Sequence, residues 1–145
     1  MYKIGQVSKM FDLPVSTIRY YDIEGLFPSI KRKSGIRIFS EKEIETIRII
    51  NCLKNSGLGL KDIKKFIKWC EDGNSTLKLR KQLFDSQQVI IKEKLDELSK
   101  MYSMIRFKCW YYNKAVILGN EQLVANKVPY KLPNNIKNIY DHAHH

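Results

Sequence analysis

Apolar residues near the start of the chain recur at helical intervals. Ile4, Val7, Met10 and Phe11 predict a short helix from about Ile4 to Phe11. Asp12-Leu13-Pro14 ends it, because a proline biases the residue before it away from helical backbone. A second helix runs through Ser16, Thr17, Ile18, Arg19, Tyr20, Tyr21 and Asp22 and stops near Gly25, a left-handed cap. Two short helices across a tight turn form a helix-turn-helix, a pattern that many helical proteins contain. From Phe27 to Phe39 the pattern changes to alternation about Ser34-Gly35, which predicts a β-hairpin whose tip carries Lys31, Arg32 and Lys33. Ser40 caps a third helix with Glu43 three residues on, and Ile44, Ile47, Ile50 and Leu53 form its apolar face. A fourth helix, about Leu60 to Trp69, buries Leu60, Ile63, Phe66 and Ile67 and ends at Glu71-Asp72-Gly73.

No proline or glycine interrupts residues 75–118, a stretch that as one helix would extend about 65 Å. Within it Leu77, Lys81, Phe84, Gln88, Ile91, Leu95, Leu98, Tyr102, Ile105 and Cys109 fall at alternating steps of four and three. A chain this size has no second long helix to cover that stripe, so a partner copy is expected to cover it in an antiparallel coiled coil. The predicted class is therefore mainly α. Residues 1–74 form a winged helix-turn-helix with a small hairpin wing, residues 75–118 a dimerisation helix, and residues 119–145 a short irregular tail that drapes over the dimer.

Charge adds a partner to this outline. Lys and Arg number 26 against 15 Asp and Glu, a formal net charge of +11 that favours a polyanion. The excess is greatest in residues 1–40, with seven bases against three acids, and in residues 75–118, with nine against four. No apolar run is long enough to span a bilayer, so no membrane partner is expected. Three widely spaced cysteines, Cys52, Cys70 and Cys109, argue against a disulfide scaffold and for the reducing cytoplasm. The only histidines, His142, His144 and His145, sit at the end of the chain, in the manner of an added tag, and are set aside. The body of the chain then has no imidazole base, which argues against an enzyme, and no cofactor or metal site is expected.

These segments, in this order and spacing, resemble the MerR family of bacterial regulators. The likeness rests on Ile4-Gly5-Gln6-Val7-Ser8, Thr17-Ile18-Arg19-Tyr20-Tyr21-Asp22, Gly25-Leu26-Phe27-Pro28, Ser34-Gly35-Ile36-Arg37-Ile38-Phe39 and Leu58-Gly59-Leu60-Lys61-Asp62-Ile63. It implies a dimer on double-stranded promoter DNA that bends and untwists an overlong spacer so that RNA polymerase reaches both promoter elements. DNA contacts are then expected from Ser16 and Thr17 at the start of the second helix and from Arg19. Of Tyr20 and Tyr21, one is expected on DNA and the other in the core. Lys31, Arg32, Lys33 and Arg37 of the wing complete the set. The family's usual wing tyrosine is replaced by Phe39, which removes a hydroxyl that would reach phosphate.

Metal sensing does not fit, because Cys109 has no second cysteine after it. A large ligand domain does not fit in about 27 residues. Two effector readings remain. Asn51-Cys52-Leu53-Lys54 resembles single-thiol, electrophile-responsive members, with Lys54 and Arg48 near enough to activate the thiol and an adduct pressing on Leu53 and Ile49; simple packing of a small apolar residue is the alternative. Phe107, Trp110, Tyr111 and Tyr112 would instead line a small-molecule pocket under the tail, or pack as core. An architectural, excisionase-like DNA-binding protein shares the winged motif but not the long striped helix.

Overall fold

The computed structural model describes residues 1–145, in two compact units, residues 1–88 and 89–145. The first holds α1 (Ile4–Phe11), α2 (Val15–Ile23), β1 (Lys31–Lys33), β2 (Ile36–Ile38), α3 (Glu41–Asn55) and α4 (Leu60–Asp72). A turn of 3-10 helix over Gly73–Thr76 leads into α5 (Leu77–Leu118), which crosses from the first unit into the second. Then follow α6 (Glu121–Ala125) and α7 (Asn134–His144).

The core of the first unit follows the expected apolar faces. Val7 of α1, Ile18 of α2, Ile44, Ile47, Ile50 and Leu53 of α3, and Ile63, Phe66 and Ile67 of α4 are buried together with Leu26, Phe27 and Phe39. Glu43 accepts from the Ser40 backbone N–H at 2.8 Å, the reach-back half of a capping box that starts α3 where the sequence places it. The wing closes on Ser34 and Gly35, both at positive φ (53° and 77°), as a two-residue turn between right-handed twisted strands requires. Phe39 is fully buried edge-to-face on Phe27, with ring centroids 5.7 Å apart, and its backbone pairs with Tyr2. No hydroxyl at this position would reach solvent, so phenylalanine there serves packing.

Three expectations need correction. The boundary at 74/75 moves to 88/89, because the first turns of α5 belong to the first unit. There Phe84 meets Phe66 at 5.4 Å and Gln87 accepts from the Ser56 hydroxyl at 3.0 Å, although Leu77 and Phe84 themselves stay 54% and 42% exposed. Lys31, Arg32 and Lys33 are not the hairpin tip but strand β1 itself. The tail is not irregular. Gly119, at φ +66°, ends α5 and turns the chain back, after which α6 and α7 pack Val124 and Ile136 against Phe107 and Tyr111. The signal for α7 was present: Ile136, Ile139 and Tyr140 sit at helical spacing just after Pro133, a residue suited to a helix start.

Tyr111 ties this second core together by donating to Glu121 at 3.0 Å. Burial, and then that hydrogen bond, raise its hydroxyl above the ordinary tyrosine value. A raised folded-state pKa means that this contribution to stability is complete below the unfolded tyrosine value of about 10 and is lost as pH rises through the folded value. Tyr111→Phe is therefore expected to flatten the alkaline limb of a stability–pH profile, read by urea titration; an unchanged limb would show that the contact contributes nothing.

Candidate nucleic-acid interface

The residues expected on DNA lie on two neighbouring elements of the first unit. Ser16 and Arg19 are exposed and Thr17 is half-buried on α2. The tyrosine pair divides as its spacing requires: Tyr20 is 48% exposed, whereas Tyr21 is 2% exposed and belongs to the core. Ser16, Thr17, Tyr20 and Tyr21 border an open cavity of about 500 Å³ whose far wall is Lys54, Leu58 and the first residues of α4. The Tyr21 hydroxyl is buried without a hydrogen-bond partner, and the Lys54 ammonium stands 6.0 Å from the centre of its ring. Lys54 is the residue that sequence reasoning missed here, having been weighed only as a neighbour of Cys52. Its place in the last turn of α3, just before Gly57 and Leu58 bring the chain to α4, was the available signal.

The wing is held to α2 by one carboxylate. Strand register sets Arg32 directly opposite Arg37, a like-charge pair that would repel. Asp22, at the end of α2, accepts from Arg37 Nε at 2.6 Å and from Arg32 Nη2 at 3.1 Å. Its side chain is 11% exposed and that of Arg37 is 19% exposed, so the pair is screened less than a surface bridge. Alternation along β1 puts Lys31 and Lys33 on the face opposite Arg32. Lys31, Lys33 and Arg19 take part in none of the ion pairs, which leaves three cations free for phosphate or base edges. The Tyr2 hydroxyl donates to Glu41 at 2.9 Å, a bond that raises its pKa and fastens the chain ahead of α1 to the start of α3.

Cys52 is not brought into this arrangement. It is exposed on α3, as Cys70 and Cys109 are on α4 and α5. An adduct there would not press on packed neighbours within the chain, contrary to the sequence expectation, and the thiol is not a core residue either. The cations expected beside it are engaged elsewhere: Arg48 bonds Glu45 at 3.1 Å, and Lys54 faces Tyr21. No group of three or more His, Cys, Asp or Glu side chains is placed to hold a metal ion, and no helix is long and apolar enough to cross a membrane.

Comparison with known proteins decides the family. Residues 2–68 match the family described as MerR HTH family regulatory protein. An uncharacterised HTH-type transcriptional regulator of Haemophilus influenzae is 33% identical over 124 residues, which span 85% of this chain and 92% of the relative. The chain belongs to the MerR family. Among solved structures, this MerR protein is similar to HiNmlR, a MerR family regulator lacking the sensor domain and bound to promoter DNA. The two are 32% identical with a TM-score of 0.72, over 84% of this chain and 98% of the other. A MerR family transcriptional regulator from Bacillus thuringiensis is 40% identical with a TM-score of 0.66, over 74% and 96% of the two chains. The mainly helical architecture with a two-stranded wing and a long helix is thus that of the family, and its members here are DNA-binding transcriptional regulators, not enzymes.

The two kinds of wing cation separate in one set of salt titrations on promoter DNA. Removing Lys31 and Lys33 together (both to Ala) should lower the slope of log affinity against log salt by about two. Asp22→Ala removes an acid, which charge counting alone would score as tighter binding. Because Asp22 holds Arg32 and Arg37 in place, weaker binding is expected instead, by about 1–2 kcal/mol, with helix content unchanged. Tighter binding by Asp22→Ala would show that the bridge has no positioning role.

Proposed function

We propose that this MerR regulator acts as a homodimer on double-stranded promoter DNA, with α2 of each protomer in a major groove and the β1–β2 wing against the backbone. The observation that carries the reading is the uncovered stripe on α5. Leu95, Leu98, Tyr102 and Ile105 are between 56% and 62% exposed and line, with Ser99 and Met101, an apolar hollow of about 600 Å³. Burying such side chains is worth about 1–2 kcal/mol each, so eight of them across two protomers give roughly 10 kcal/mol. That is comparable to the roughly 4–15 kcal/mol that association costs, so the stripe is decisive without being in excess. An antiparallel coiled coil through this stretch covers it and presents two α2 helices to successive half-sites. An excisionase-like architectural protein would have no use for such a stripe.

On DNA, Ser16 and Thr17 sit at the start of α2, where the helix's positive end favours phosphate. Arg19, Tyr20 and Lys31, Arg32, Lys33 and Arg37 of the wing supply the remaining contacts, and Tyr21 backs them from the core. HiNmlR, which this chain matches over most of its length, was solved on promoter DNA, and that supports the reading. Regulation follows from deformation: the bound dimer bends and untwists the promoter in the cytoplasm, so that RNA polymerase meets both promoter elements, at an energy set by the sequence being deformed.

A second reading concerns input. Cys52 is accessible, and its surroundings match single-thiol members, which supports a response to aldehydes and other electrophiles. Its exposure makes the route steric: an adduct adds bulk at a surface that DNA or the partner protomer approaches.

Two outcomes are expected. Leu95→Asp with Leu98→Asp should give helical monomers in sedimentation equilibrium, and an intact dimer would move the interface elsewhere. On its own promoter, Cys52→Ser should abolish the transcriptional response to electrophiles while Cys70→Ser and Cys109→Ser retain it. A response that survives Cys52→Ser rules the thiol out as the input.

A further inference from the structure

The return of the chain at Gly119 encloses a cavity of about 280 Å³ within the second unit, between the end of α5 and the segment running from α6 to the start of α7. Trp110, Val124 and Leu132 supply its apolar wall, and Lys114, Lys127 and Lys131 stand around it. From these residues we infer that the cavity is a binding site for a small organic anion, a single apolar ring or branched chain carrying one carboxylate. The inference goes beyond DNA binding and gives a chemical class to the pocket reading of the tail.

The wall is built rather than incidental. Val124 is 1% exposed, and Trp110 stacks on Phe107, with ring centroids 6.1 Å apart and planes 26° from parallel. Phe107 is in turn fixed edge-on by Tyr140 at 5.0 Å. A ring entering the cavity thus meets side chains already ordered by the second core, so little ordering entropy opposes binding. The volume lies at the lower end of the range for small-molecule sites, which suits one ring and not a nucleotide.

The charge selects the sign of the ligand. Elsewhere on α5 Lys81 pairs with Asp85 and Lys92 with Asp96, one turn along the helix. Lys114, Lys127 and Lys131 enter no ion pair and no side-chain hydrogen bond. The acid nearest in sequence, Glu121, is occupied by the Tyr111 hydroxyl at 3.0 Å. Three exposed lysines line one hollow with no carboxylate among its lining residues. That arrangement repels itself and any cation, and a bound carboxylate relieves it.

Phenylacetate, phenethyl alcohol and phenethylamine share a ring and differ in charge, and so test both halves of the inference. In the full chain carrying Trp69→Phe, Trp110 is the sole tryptophan, and its emission reports occupancy without DNA. A failure of DNA binding therefore leaves this measurement intact. Phenylacetate should give a saturable change with a dissociation constant on the order of 1 mM or below. The alcohol should bind more weakly and the amine not at all. Lys127→Gln with Lys131→Gln should weaken phenylacetate by about three- to tenfold and leave the alcohol unchanged. Calorimetry on the unsubstituted chain gives the same comparison should Trp69→Phe disturb the fold. Equal binding of alcohol and carboxylate, indifference to the lysine substitutions, or no saturable signal from phenylacetate overturns the proposal.

Discussion

Two arginines face each other across a two-stranded ribbon, and a single aspartate makes that tolerable. The strands carry three residues each, β1 is wholly exposed, and Ile36 of β2 is 53% exposed, so the strands of the wing themselves bury little apolar surface. What fixes it is a fully buried Phe39 at its exit and Asp22 reaching from the end of α2 to Arg37 and Arg32. The placement of the wing against α2 depends on that carboxylate. It fixes α2 against the two strands, and it engages two of the wing's four cations. Lys31 and Lys33 remain as the cations with no internal partner.

The same logic, seen from the other end, separates what α5 does in each unit. Its first turns lean on the first unit, with Leu83 packed against that core and Phe84 edge-on to Phe66. Further along, Leu95, Leu98, Met101, Tyr102 and Ile105 are left more than half exposed, before Phe107 and Tyr111 enter the second core. A helix that leaves so much of its apolar stripe open contrasts with the first unit, which buries its own core.

Most of the first unit was legible in the sequence because its signals are local and mutually consistent. Ile44, Ile47, Ile50 and Leu53 mark one face of α3, Ser40 and Glu43 mark its start, and Ser34-Gly35 can hardly be anything but a tight turn. The exposed half of the site was legible for the same reason, since Arg19 and Tyr20 lie on the side of α2 away from Ile18. What escaped were features that depend on distant partners. Nothing local says that Arg37 and Arg32 meet at Asp22, ten or more residues away, or that Lys54 borders the cavity beside Tyr20. The exposure of Cys52 escaped as well, because a lone cysteine in an apolar helix reads equally as core. The tail was misjudged because its two prolines and paired asparagines outweighed the helical spacing of Ile136, Ile139 and Tyr140.

The reversal at Gly119 has a kinetic side. The walls of the small cavity beneath the tail come from residues 110–118 and 124–133, neighbours along the chain joined by a turn of a few residues. Closing so short a loop takes on the order of 10–100 ns and little entropy. The cavity is therefore a product of local contacts and draws no lining residue from the first unit. Opening it needs only the return segment to lift from α5, a motion far smaller than unfolding. Occupancy would then be written in the hydrogen-exchange rates of α6 and the turns after it.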